Sequence, residues 1–146
     1  MKSPYFSLKE LVCKHVYERY GEKAAMFLDD KLIETLNMIR EQILCTPMTV
    51  NNWHAGGNFT QRGLRCNICE LVKNKTDAGR LYLSAHMLGK AVDCNVEGMT
   101  AEEARRHIIE KQELLPYPIR LEDGVSWLHI DLYDNGKKEK VYLFKA

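Results

Sequence analysis

The stretch SAHMLGKAVDC, residues 84–94, places a histidine and an aspartate seven positions apart, with a glycine and small residues between them. His86 and Asp93 are ligand types that suit a borderline cation, and Gly89 allows the chain to turn closely between them. Asp93 lies in an apolar segment with the pattern of a strand, where an unpaired carboxylate carries a large desolvation cost. A cation that meets this carboxylate would offset that cost, so the stretch is compatible with a metal site, although a pair with this spacing also occurs often by chance.

A later segment, SWLHID, supplies a third candidate ligand. In an extended strand the side chains of Trp127, His129 and Asp131 share one face, and the leucine and isoleucine between them share the other. If the apolar face packs against helices, the first face lines an open groove. With His86 and Asp93, His129 then completes a set of three ligands that leaves one coordination position free, as in catalytic rather than closed structural zinc sites.

The composition limits the class of protein. The chain has 146 residues, 45% of them hydrophobic and 28% charged, which is typical of one globular domain over 1–146. A formal net charge of +1 gives no electrostatic case for a nucleic-acid or membrane partner. The first residues lack the apolar run of a signal peptide, and no segment reads as a bilayer span. We therefore expect a protein that is cytoplasmic as synthesised, and a monomer by default.

The order of elements predicts an α+β fold with a small, mainly antiparallel sheet flanked by helices. Helices are expected over 7–20, opened by a capping box of Ser7 and Glu10, from Asp29 or Asp30 to Leu44, and over 98–115, opened by Thr100 and Glu103. Strands are expected in MTVNNW, KAVDCNV, YPIRLE, SWLHIDLY and KVYLFK. The intervening stretch 54–83 has weak periodicity and is expected to be an irregular, functional loop.

The signature residues carry a resemblance to a known family. SAHMLGKAVD matches the Ser-x-His-x-x-Gly-x-Ala-x-Asp signature of the D-alanyl-D-alanine carboxypeptidase-like zinc peptidases, whose fold is shared with the Hedgehog signalling domain. The Trp-Leu-His at 127–129 resembles the family's second signature, and RGLRCN (Gly63, Leu64, Arg65) resembles its Gly-aromatic-Arg turn. The opening FSLKEL and the long helix to Leu44 look like phage and prophage members. The resemblance spans nearly the whole chain.

The resemblance implies a Hedgehog/DD-peptidase-like fold and one zinc ion per chain, held by His86, Asp93 and His129. Two neutral imidazoles and one carboxylate would leave a net positive centre. The implied activity is hydrolysis of peptidoglycan stem peptides, of the D-Ala-D-Ala carboxypeptidase or the L-Ala-D-Glu endopeptidase type. Without a signal peptide, such an enzyme is expected to be released to the cell wall or to be associated with a virion.

Three further residues are expected to contact the substrate or support the metal. Arg65 matches the family's turn arginine, and its guanidinium suits a substrate carboxylate or a developing oxyanion. Ser84 is expected either to hydrogen-bond near the first metal ligand or to cap a turn. Trp127 is expected to line the groove beside His129.

The general base is where the chain departs from the family pattern. Many members place Asp or Glu three residues before the last histidine, and here that position is Ser126. The nearest carboxylates are Glu122 and Asp123. We prefer Glu122, because a strand end holds its side chain better than a turn does, and Asp123 is the alternative. A third possibility also remains open, in which both carboxylates are solvated charges of the hairpin.

Two other functions stay open at this stage. The missing acid at Ser126 is compatible with a zinc-containing binding module of the same fold that is catalytically weak or inactive. A structural tail component without metal would require the three ligands not to converge. The five cysteines do not indicate a disulfide framework, and the pair Cys66 and Cys69 could hold a structural zinc only if the fold brings Cys13 and His15 alongside.

Overall fold

The computed structural model describes residues 2–134, 136 and 138–146. Its described residues form a five-stranded sheet in the order β1-β2-β4-β3-β5. The strands are β1 (Met48–Thr49), β2 (Ala91–Val96), β3 (Ile119–Glu122), β4 (Leu128–Asp131) and β5 (Val141–Phe144). All neighbouring pairs are antiparallel except β3 and β5, which are parallel. The predicted mainly antiparallel sheet is therefore confirmed.

Helices flank this sheet, as expected for an α+β protein. They are α1 (Leu8–Leu11), α2 (Lys14–Tyr20), α3 (Asp30–Met38), α4 (Glu70–Asp77) and α5 (Ala101–Glu110). Segments of 3₁₀ helix lie at Gly21–Phe27, Trp53–Ala55 and Gln112–Leu114. A π-helical turn at Ile39–Ile43 continues α3, so the long predicted helix ending near Leu44 is confirmed with a wider last turn.

The helix starts follow the predicted capping chemistry. The Glu10 carboxylate accepts a hydrogen bond from the Ser7 backbone N–H at 2.7 Å. At the start of α3, the Asp29 side chain accepts from the Lys31 N–H, and at the start of α5 the Thr100 hydroxyl oxygen accepts from the Glu103 N–H. Each cap satisfies a backbone donor that has no partner inside its helix.

Two expectations about the N-terminal half were wrong. The predicted helix over 7–20 is two helices, because Val12 and Cys13 are extended and Val12 forms a parallel bridge with Leu64. The stretch 54–83 is not wholly irregular, since it contains α4. That helix buries only Val72, so its sequence offers no apolar repeat that could have indicated it.

The hydrophobic core lies between the sheet and the helices. Leu128 and Ile130 of β4 and Leu121 of β3 are fully buried in it, together with Leu32 and Leu36 of α3. Because side chains alternate along a strand, the residues between them are carried on the opposite face of the sheet. That opposite face forms the floor of a cleft. Among the residues that the structure describes, no helix is both long and apolar enough to cross a lipid bilayer.

Candidate metal centre

Three side chains that the sequence singled out meet on the face of the sheet opposite the core. The ligand atoms of His86, Asp93 and His129 all lie within 4.8 Å of one another, and all three residues are buried. Asp93 and His129 are directly opposite each other on β2 and β4, which places their side chains on the same face. His86 comes from the turn that leads into β2. This cluster could hold a metal ion.

The ring of His86 is held in an orientation that suits a metal ligand. Its Nδ1 lies 2.9 Å from the backbone oxygen of Gly63, a contact in which Nδ1–H donates. The other nitrogen, Nε2, faces the cluster and lies 3.2 Å from Oδ2 of Asp93. Histidine ligands of metals are commonly fixed in this way by a carbonyl behind the ring.

The ring of His129 lies between two carboxylates. Its Nδ1 is 2.7 Å from Oδ1 of Asp93, and its Nε2 is 2.7 Å from Oδ2 of Asp131. Asp131 is itself held by Arg120, whose Nε and Nη2 donate to its two oxygens at 2.9 Å each. Asp131 therefore orients His129 from behind and leaves Nδ1 facing the other two ligand residues.

A short stretch of backbone, residues 62–65, joins the parts of the centre; we call it the linking segment. The Asp93 N–H donates to the Arg62 oxygen at 2.6 Å, and the Arg65 N–H donates to the His86 oxygen at 3.1 Å. The segment also bonds to the α1–α2 junction through the N–H and oxygen of Leu64. A Cβ at Gly63 would overlap the carbonyl of Leu11, so this approach requires glycine.

The three ligand residues influence one another's protonation in the metal-free protein. Burial opposes ionisation of Asp93, but hydrogen bonds from His129 and His86 hold its pKa well below the usual range. Burial alone would lower the pKa of His129, yet the hydrogen bonds to Asp131 and Asp93 raise it to about 9. Without a metal, a proton therefore occupies the ring at neutral pH, and a bound cation would replace it.

This arrangement predicts a pH dependence for the metal-free protein. The pKa of His129 is about 9 in the fold, against an ordinary 6.5, so its protonation stabilises the fold fully below pH 6.5. That contribution is lost as the pH rises through 9, and we expect about 3 kcal/mol of unfolding free energy to disappear. Urea unfolding in excess chelator, carried out at pH 6.5 and at pH 9, measures this loss of unfolding free energy.

His129→Gln is the control for that prediction. Because this variant has no imidazole at position 129, its stability should change less than that of the wild type between the two pH values. Other groups that titrate in this range are present in both proteins and cancel in the difference. An equal change of stability in the two proteins would show that the neighbouring carboxylates do not raise the pKa of His129.

The cluster lies in a cleft of about 320 Å³. The walls of this cleft include Arg65, Ser84, Glu122, Trp127 and Phe144. The Phe144 ring packs edge-on against the His129 ring, with 5.6 Å between their centroids. Trp127 is 38% exposed at the rim, so the cleft is open to a ligand from solution. The groove expected from the alternation in SWLHID is present.

The two candidate bases lie in different places. Glu122 is on β3 two residues after Arg120, which is paired with Asp131 of β4, and its side chain lines the cleft. Asp123 is one residue further and lies in another groove, where its Oδ1 is 4.0 Å from Nε of Arg105. Ser126 is exposed and is not among the cleft residues. The geometry therefore favours Glu122 over Asp123.

The predicted contact residues are also found at the cleft. Arg65 donates from Nη2 to Oδ2 of Asp93 at 3.2 Å and from Nε to the Gln61 oxygen at 2.6 Å, so it holds a ligand residue as well as facing the cleft. The Ser84 hydroxyl is buried and has no hydrogen-bond partner among the described residues, so it makes neither the bond near the first ligand nor the turn cap that were its two expected roles.

Two functional positions were missed in the sequence. The first is Arg120, which pairs with Asp131 behind His129 and for which the alternation of charged residues in IRLE and LHID was an available signal. The second is Phe144 on β5, which reaches the cleft only because β5 pairs in parallel with β3. Nothing in the local sequence indicated that pairing.

Scans of this chain against models of protein families, against curated proteins and against solved structures each find no match. Function is therefore inferred from the sequence signatures and the geometry of the centre.

Proposed function

We propose that this chain is a zinc-dependent peptidase that cleaves peptidoglycan stem peptides, with a Hedgehog/DD-peptidase-like fold. The observation that carries the proposal is the convergence of the signature residues His86, Asp93 and His129 at the bottom of an open cleft. The proposed class of bond is that of D-Ala-D-Ala carboxypeptidases or L-Ala-D-Glu endopeptidases, which the two signatures resemble.

Zinc is the proposed ion because of the donor set. Imidazole nitrogen and carboxylate oxygen are both common zinc ligands, and three of them leave a fourth tetrahedral position for a reacting group. The hydrogen bonds that His86 donates to the Gly63 carbonyl and that His129 donates to Asp131 orient each imidazole before any ion is bound. When bound, zinc would polarise the substrate carbonyl and lower the pKa of a coordinated water towards neutral.

The residues around the centre have distinct proposed roles. Glu122 would take the proton of the attacking water and return it to the leaving amine, because its carboxylate lines the same cleft as the ligands. Arg65 would hold Asp93 and present its guanidinium to a carboxylate or oxyanion of the substrate. Trp127 offers an exposed ring at the rim, against which a peptide can pack.

A second candidate is a zinc-containing binding module of the same fold with weak or no catalysis. One observation favours it: Ser126 occupies the position where many members of the resembled family carry an acid. The two candidates differ in whether Glu122 takes over the function of that acid.

The test is mass spectrometry of defined peptidoglycan fragments after incubation with zinc-loaded protein. We expect new peptide termini that identify the bond, and no new termini after chelation or in His86→Gln. His107→Gln, which changes an exposed histidine of α5 outside the cleft, should leave the products unchanged. Zinc bound at the centre without any new termini would contradict the peptidase and favour the binding module.

A further inference from the structure

A second cluster of metal-ligating side chains lies outside the cleft. The donor atoms of Cys13, His15, Cys66 and Cys69 all lie within 4.8 Å of one another. His15 and Cys66 are 51 positions apart in the chain, so no local motif brings them together. The cluster contains none of the residues to which we assign peptidase chemistry.

The fold builds this cluster from two helix starts. Cys13 immediately precedes α2 and His15 lies in its first turn, because the chain is extended at the α1–α2 junction and the Cys13 N–H donates to the Leu64 oxygen at 3.0 Å. Cys66 and Cys69 form the turn that precedes α4, closed by a hydrogen bond from the Cys69 N–H to the Cys66 oxygen at 3.2 Å.

The separations match the edges of a tetrahedron around one ion. With zinc–sulfur bonds of about 2.3 Å and zinc–nitrogen bonds of about 2.0 Å, ligand pairs lie about 3.8 Å apart for two sulfurs and about 3.5 Å for sulfur and nitrogen. Here Cys66 Sγ is 3.7 Å from Cys69 Sγ, and His15 Nδ1 is 3.5 Å from Cys66 Sγ and 3.8 Å from Cys69 Sγ. A disulfide would need about 2.05 Å between the sulfurs.

The chemistry of the four donors favours a closed site. Three thiolates and one imidazole fill all four positions of a tetrahedral ion, which is typical of structural zinc rather than catalytic zinc. The Cys66 N–H also points at Cys69 Sγ at 3.4 Å, a contact that stabilises a thiolate there. Cys13 and Cys69 are buried, whereas His15 is exposed, so the ion would be held at the edge of the core.

We propose that Cys13, His15, Cys66 and Cys69 bind a structural zinc ion that fastens the start of α2 to the start of α4. Cys66 directly follows Arg65, whose N–H holds the backbone of His86 and whose side chain holds Asp93. The ion would therefore also fix one end of the linking segment behind the cleft. This proposal does not rest on the proposed peptidase activity.

Cobalt substitution of the full chain tests the proposal without any substrate. Cobalt bound by thiolates absorbs in the near-ultraviolet through charge transfer from sulfur, an absorption that imidazole and carboxylate ligands do not produce. We expect the reduced protein to bind two cobalt ions per chain, with charge-transfer absorption of the strength given by three thiolates. Zinc should displace the cobalt and abolish the absorption.

Matched variants assign the absorption to these residues. His15→Gln should weaken cobalt binding at the thiolate site roughly tenfold or more, whereas His107→Gln, also an exposed histidine, should not. The double variant Cys66→Ser with Cys69→Ser should lose the absorption, and Cys45→Ser, at an exposed cysteine outside the cluster, should retain it. His86→Gln should also retain it, because it affects only the cleft centre.

Two results would overturn the proposal. One is the absence of charge-transfer absorption in wild-type protein whose five thiols are all shown by titration to be reduced. The other is absorption that is the same in His15→Gln and in the double cysteine variant as in the wild type. Both results concern absorption from the cysteine cluster. They would therefore be the same if the peptidase proposal failed, because that proposal depends on the cleft alone.

Discussion

Replacing Glu122 with glutamine is expected to lower the rate of stem-peptide cleavage by about 10²- to 10⁴-fold, the usual contribution of a positioned general base. Glutamine keeps the size and hydrogen-bonding shape of the side chain, so the fold and the zinc content should not change. The loss should appear in kcat more than in KM, because proton transfer belongs to the reaction rather than to binding. Steady-state kinetics on a defined fragment measure it.

Asp123→Asn is the matched control for this variant. It removes the neighbouring carboxylate, but that carboxylate faces Arg105 in another groove and is 44% exposed, so cleavage should stay within about twofold of wild type. A large loss of cleavage activity in Asp123→Asn, together with an active Glu122→Gln, would show that Asp123 is the base and Glu122 is not. Activity that survives in both variants would mean that neither carboxylate is the base.

Gly89→Ala is expected to lower the unfolding free energy of the protein by about 3 kcal/mol. Gly89 has a φ of +67°, in the left-handed region, and a Cβ there would overlap the backbone oxygen of Phe27. The Phe27 carbonyl belongs to the backbone and cannot move aside as a flexible side chain would. Chemical denaturation of the zinc-loaded protein, followed by circular dichroism, measures the loss.

Gly79→Ala separates the two causes of that loss. Gly79 has nearly the same φ, +65°, but a Cβ there meets no atom within 4 Å. Its substitution should therefore cost only about 1 kcal/mol, the cost of a left-handed backbone alone. Equal losses in the two variants would show that the turn around Gly89 relaxes away from Phe27.

Local patterns in the sequence predicted a large part of the fold. The apolar spacing in residues 32–43 indicated α3, and the Thr100–Glu103 box indicated the start of α5, because both depend on contacts within one turn of helix. By contrast, α4 has one buried residue, and the parallel pairing of β5 with β3 depends on long-range packing. Such features leave no periodic trace in a single sequence.

In the candidate site, too, some residues were predictable from the local sequence and others depended on long-range packing. His86, Asp93 and His129 were predictable as a set because a carboxylate such as Asp93 is costly to bury without a partner and because the two motifs resemble the signatures of a zinc peptidase family. Strand alternation favoured neither Glu122 nor Asp123 until the register of β3 against β4 was known. The approach of Cys13 and His15 to Cys66 required a break between two helices, and the sequence there had predicted one continuous helix.

The linking segment acts almost entirely through main-chain atoms. The bonds to Asp93, His86, Leu11 and Cys13 run through its N–H and C=O groups. Substitution of Arg62, Leu64 or Arg65 by alanine leaves those main-chain groups in place, so an alanine scan of these three positions would understate how much the centre depends on them. Exchanging single amides for esters by chemical synthesis would remove the donors one at a time. Apart from the Arg65 side chain, the segment supports the ligand residues through the path of its backbone, which the absence of a side chain at Gly63 permits.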